Sequence, residues 1–148
     1  MAAGLAASAV HFAFMIVKSQ AGLFPSFQPY DDFQRALNGL VGGAVPPAVP
    51  WLLSFANGTM VLGFVFARGY RLIPGRSGVM KGLVFGLAGW LLMGLAFFPL
   101  LGQGVFAVGA GHGVLPALYA LAMVLSYAVV LGAVYAALNP ADELTSSP

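Results

Sequence analysis

Apolar positions in this chain do not alternate with polar ones. They run on in four blocks, at about residues 2–19, 50–67, 79–101 and 114–138, and none of the blocks contains an acidic residue. A helix that crosses the roughly 30 Å hydrocarbon core of a bilayer needs about 20 predominantly apolar residues. Each block meets that length. Lipid offers no partner to an open N–H or C=O, so each block must satisfy its own backbone, which a helix does. A membrane barrel would show strands alternating every second residue, and the continuous runs exclude it. The pattern predicts an all-α integral membrane four-helix bundle, forming one membrane domain over residues 1–148.

The interruptions carry the remaining signals. The longest, residues 20–47, turns at Pro25 and Pro29 and then reads "PYDDFQRALNGLVGG". Phe33, Leu37 and Leu40 fall at helical spacing, an aspartate caps the start, and Gly42-Gly43 ends the run. A short interfacial helix is expected here, with Asp31 and Arg35 placed four apart for pairing. The second interruption, residues 68–78, is a tight turn around Pro74-Gly75. The third, "GQGVFAVGAGHG", reads as a flexible turn. A polar tail, residues 139–148, contains Asp142 and Glu143.

Charge orients the bundle. The stretch "ARGYRLIPGRSGVMK" carries Arg68, Arg71, Arg76 and Lys81 without an acid, whereas Lys18 and Arg35 in and beside the first loop are balanced by Asp31 and Asp32. By the positive-inside rule residues 68–78 are cytoplasmic, which puts both termini inside and the 20–47 loop outside. Lys18, Arg68 and Lys81 stand at helix ends, where long side chains reach outward to headgroups.

Composition agrees: 60% of the 148 residues are hydrophobic and 7% are charged, where soluble proteins carry about 25% charged residues. Six basic residues in all are too few for a phosphate-binding surface, so nucleic acid is not a partner. The absence of cysteine removes disulfides, thiolate nucleophiles and cysteine-based metal sites. The first block has no basic residue ahead of it, unlike a cleavable signal, and is expected to be a retained helix.

Candidate chemistry is sparse. No HExxH, GxSxG or Walker sequence occurs, and the acids form no visible acid/base site, so no catalytic residue and no metal site are expected. His11 lies mid-block, and His112 lies in the third loop. Their different depths argue against both ligating one haem. His11 is expected to hydrogen-bond within the bundle or to a partner helix, and it shares a face with Lys18. "LLSFANGTM" is the most polar stretch in any block, and Asn57 there serves either as interhelical glue or as a ligand contact. His11, Asn57 and Tyr127 are the candidate lining of a small-molecule site. Gly82, Gly86 and Gly89 form a small-residue seam, with Gly132 at matching spacing on the fourth block, and these are expected to pack helices closely. Lys18, Asp31, Asp32 and Arg35 are candidates for an interface with a partner. A faint echo between "GFVFA" and "GAVYA" would, if real, make the two halves a parallel repeat, but five similar residues in apolar sequence often arise by chance.

The segments "VKSQAGLFP", "PWLLSFANGTMVLGFVFARGYRLIPG" and "KGLVFGLAGWLLMGLAFFPLLGQGVFA" resemble a family of small four-helix bacterial membrane proteins recorded as a domain of unknown function. Its members tend to place a basic residue and a "GL-P" turn after the first span. The resemblance implies a multi-pass protein of a bacterial inner membrane, with Trp51, Asn57, Gly58, Trp90 and Pro99 at matching positions. Where members often have a histidine near the start of the second span, this chain has Ser54. The family supplies no reaction. Two functions are therefore carried forward. One is a non-catalytic accessory subunit of a larger membrane complex, of the respiratory or photosynthetic electron-transfer kind, surrounded by other subunits and lipid. The other is a bundle that binds or transports a small apolar ligand such as a quinone or haem. No cofactor is required by either, although lipid or quinone is compatible with both.

Overall fold

In the computed structural model, residues 1–23 and 27–140 are described, and they are helical without strands. Four helices are long and apolar enough to cross a membrane: α1 (Ala2–Gln20), α3 (Ala48–Gly69), α4 (Gly78–Leu100) and α5 (Leu115–Leu138). A shorter helix, α2 (Pro29–Val41), stands between α1 and α3. Each long helix lies within two residues of the block that predicts it. Pro25 and the Asp142-Glu143 tail lie outside the described residues.

Local chemistry sets the ends. Ser77 caps α4 by accepting from the Met80 N–H at 3.3 Å. Proline opens α2 at Pro29 and sits in the first turn of α5 at Pro116, where its missing N–H costs nothing. α2 ends at Gly42, whose φ of 67° is the left-handed geometry glycine tolerates. Its start departs from expectation: Gln28 occupies the cap position and its side chain makes no capping bond to the helix. Asp32 instead turns inward, where it accepts from Arg35 and from Gln103 in the loop before α5. The Asp31–Arg35 pair is therefore replaced by Asp32–Arg35, one residue shorter in spacing.

α5 is the central helix. It packs along α4 on one side and α1 on the other, and α1 in turn packs on α3. The α4–α5 contact is made by small residues. A Cβ on Gly78, Gly82 or Gly132 would run into the facing backbone, and one on Gly86 would meet the Ala128 methyl at 2.6 Å. Gly89 is different: it is exposed, and a Cβ there meets nothing within 4 Å. The contact follows the four-residue row 78–82–86–90, position 89 falls off it, and Gly94, next along the row, faces Phe106 of the third loop instead. On the α1–α3 side, Gly4 lies against the Thr59 backbone, and Thr59 donates to Ser8 at 3.1 Å.

α3 and α4 make little contact with each other. They meet near their joined ends, where Phe66 sits edge-on to Phe85 at 5.2 Å and to Tyr135 of α5 at 5.6 Å. Lys81, 1% exposed, donates to the Tyr70 carbonyl at 2.8 Å and lies over the Tyr70 ring at 4.6 Å. It is thus folded into the protein rather than extended to headgroups. Away from this end α3 and α4 diverge.

The third loop is packed, not loose. Gly104 to Gly111 folds into tight turns over Val105–Ala110, kinked where Phe106 and Ala107 both take left-handed geometry, with Ala107 fully buried. Phe106, at φ 52°, sets its ring against Gly94 and 4.7 Å from the Trp90 ring. Holding a phenylalanine in left-handed geometry costs about 1 kcal/mol, so the ring must gain at least that by filling the slot that Gly94 leaves.

Candidate functional site

The gap between the diverging parts of α3 and α4 is a cleft of ≈ 690 Å³. Ligand sites of small molecules fall in the range of about 300–1,000 Å³. α3 and α4 form its sides, with Leu53, Ser54, Asn57 and Met60 on one and Met93 and Phe97 on the other. His11 and Met15 of α1 and Ala120 and Met123 of α5 form the back. Its open edge runs along exposed Leu53, Asn57, Met60 and Val61.

Both sides are locally π-helical where they face the cleft, over Asn57–Leu62 in α3 and Met93–Phe97 in α4. A π segment is a wider turn that appears mostly as a single bulge and is frequent at functional sites. Gly58 and Gly94, one in each segment, allow the close approach of Ser8 and Phe106 respectively.

α2 roofs the cleft. Pro29, Tyr30 and Phe33 line it, with Phe27 just ahead. Phe33 meets Phe97 at 5.9 Å and Phe27 meets Phe98 at 5.5 Å. Lys18, in the last turn of α1 and 1% exposed, donates to Gln28 at 3.2 Å and lies 5.6 Å from the Phe27 ring. It ties down the segment before α2 instead of reaching outward. Asp32, buried, ties α2 to Gln103, while Arg35 stays largely exposed. Asp31 is exposed.

Under the roof sits a short polar chain. Tyr30 Oη is 3.2 Å from His11 Nε2 and 3.0 Å from Ser54 Oγ. The Tyr30 ring stacks on Trp51 at 4.1 Å and parallel to Phe12 at 6.5 Å, so it has little freedom to turn away. Burial pushes the Tyr30 phenol above its ordinary pKa, with the Ser54 hydrogen bond working the other way. The phenol therefore keeps its proton and can donate to one oxygen or nitrogen while accepting from another.

Of the three residues that sequence alone nominates for a site, His11 and Asn57 line the cleft. Tyr127 does not: its hydroxyl donates to the Gly58 carbonyl at 2.5 Å, and its ring belongs to the core formed with Phe66, Tyr70 and Leu131. His112 lies in the loop before α5, away from the lining. Tyr30 and the methionines are the residues that sequence reasoning passes over, whereas Ser54 stands out only as part of the polar stretch around Asn57. Among the described residues no three histidine, aspartate or glutamate side chains converge, so the cleft offers no metal-ligand set.

Fold and site together define an all-helical protein with four membrane-length helices and one apolar cleft under a helical roof. The chain belongs to the Family of unknown function (DUF6789), whose model matches residues 1–146. Comparison with curated proteins and with solved structures found no match.

Proposed function

We propose that this protein is a membrane-embedded binding protein for a small, lipid-soluble molecule, which occupies the cleft between α3 and α4. One observation carries the reading: a cleft of ≈ 690 Å³ with a mostly apolar wall has a fixed polar chain, His11–Tyr30–Ser54, at one end. Apolar walls with a few placed polar groups are the usual make-up of a small-molecule site. Since α3 and α4 are themselves spans, the ligand enters sideways from the bilayer. In this reading the basic 68–78 turn faces the cytoplasm of a bacterial cell, both termini lie inside, and α2 lies at the outer interface as the roof.

Extraction of the mildly purified protein with organic solvent, followed by mass spectrometry, tests the reading. The expected result is one apolar species at about one per chain, reduced in His11→Leu and Tyr30→Phe. An extract that matches bulk lipid, from protein that remains folded, overturns it.

A second reading is the accessory subunit of a larger complex. It is favoured by the extent of apolar surface, with 28 large hydrophobic side chains exposed on the described residues, most of them on the long helices where neighbouring subunits would pack. Native mass spectrometry from the source membrane separates the two, because only the accessory role brings other subunits along.

A further inference from the structure

We infer that the ligand of the cleft is an uncharged amphiphile, held near the middle of the bilayer by a neutral carbonyl or hydroxyl oxygen, and that the Asn57 amide is the group that reads this oxygen. The inference rests on the cleft being a binding site and goes further by naming the class of molecule.

Asn57 is the one polar side chain of its stretch left without a partner. Its neighbours on α3 are satisfied, Ser54 by Tyr30 and Thr59 by Ser8. The Asn57 amide makes no hydrogen bond with any described residue, and it is exposed on the open edge of the cleft. Facing hydrocarbon, a primary amide loses the water that would otherwise satisfy it, so it is stable there only with a partner.

Depth narrows the partner. Asn57 is nine residues beyond the start of α3 at Ala48. At about 1.5 Å per residue it lies roughly 14 Å into the span, close to the midplane of a hydrocarbon core about 30 Å thick. Ser54 lies one helical turn nearer the roof. A phospholipid keeps its phosphate at the interface and presents only acyl chain at that depth.

Charge narrows it again. No lysine, arginine, aspartate or glutamate lines the cleft. A carboxylate or phosphate drawn to Asn57 would lose its hydration with no cation to meet it. A neutral oxygen has no such penalty. A ring carbonyl of a quinone accepts from the amide N–H. A hydroxyl of a lipid alcohol does the same and donates to the amide oxygen. The polar chain at Tyr30, one turn away, serves a second oxygen on the same molecule.

The test uses the full chain in phosphatidylcholine nanodiscs with three probes: decylubiquinone, farnesol and oleate. Binding is read from saturable quenching of tryptophan emission by decylubiquinone, since Trp51 stacks on Tyr30, and from displacement of that signal by farnesol or oleate. Decylubiquinone is expected to bind saturably, with farnesol displacing it and oleate at least about tenfold weaker than either. Asn57→Leu is expected to weaken both neutral probes by about tenfold, the size of one hydrogen bond in lipid, with thermal unfolding unchanged or raised. Asn57→Gln restores part of the binding. If decylubiquinone alone binds, the oxygen is a ring carbonyl; if farnesol also displaces it, a hydroxyl serves as well.

Equal binding by wild type and Asn57→Leu overturns the inference, as does oleate binding more tightly than the neutral probes. Both outcomes leave the cleft as a binding site of another class. Absence of saturable binding by all three, in protein carrying no co-purified small molecule, removes the cleft reading as well. A dimer in native mass spectra that Asn57→Leu dissociates also overturns the inference, by assigning the amide to a second copy of the chain.

Discussion

At the scale of the residue, Tyr30 concentrates most of the site's chemistry. It joins α2, α1 and α3 through two hydrogen bonds to a single hydroxyl. Tyr30→Phe leaves His11 and Ser54 without that partner and should cost about 1–3 kcal/mol in thermal unfolding in detergent. The same residue sets a pH dependence. Its pKa in the folded protein is raised above the ordinary 10.0. Below about pH 10 the phenol is protonated in both folded and unfolded chains and contributes its full share of stability. As pH rises past that value the unfolded chain releases the proton and the buried phenol does not, so stability falls until the folded pKa is passed. The unfolding temperature should therefore drop as pH rises past about 10, and the drop should be smaller in Tyr30→Phe. An identical alkaline loss in the variant would assign the effect to other tyrosines.

At the scale of the element, the two sides of the bundle are held by different means. α4 and α5 approach through glycines and alanines along a four-residue row, whereas the α2 roof is held by aromatic contacts and by the bonds of Lys18 and Asp32. The seam makes a sharp prediction. Gly82→Ala drives a methyl into the Ala128 carbonyl and should destabilise by about 1–3 kcal/mol or more, because backbone on backbone cannot repack. Gly89→Ala meets nothing and should be neutral or stabilising by up to about 1 kcal/mol through helix propensity. Denaturation in mixed micelles compares the two, and equal effects would refute the four-residue row. In the sequence the two glycines look alike. Which of them is buried depends on the crossing of α4 and α5, and that geometry is not written in either helix alone. For the same reason Gly78 and Gly94 escape a sequence reading, although both fill slots on the same row.

At the scale of the whole molecule, the four long helices were legible because long acid-free blocks leave the chain few alternatives to a helix, and each boundary falls within two residues of a proline or glycine. The site was half legible. His11 and Asn57 stand out as polar residues in apolar surroundings, and both line the cleft. Tyr30 does not stand out, because it lies at the head of the short helix, 19 residues from His11 and 24 from Ser54, and only tertiary folding brings the three together. The cleft itself has no sequence signature, since it arises where two helices fail to meet. That divergence gives the Lys81–Tyr70 contact a mechanical meaning. A clothes-peg is set by its spring, not by its jaws, and here the spring is a lysine clasping the Tyr70 carbonyl, just past the end of one arm, from the base of the other. Lys81→Met would loosen the clasp far from any bound molecule. Under the proposed function, decylubiquinone should then leave the jaws several-fold faster in stopped-flow dilution, although no residue lining the cleft has changed.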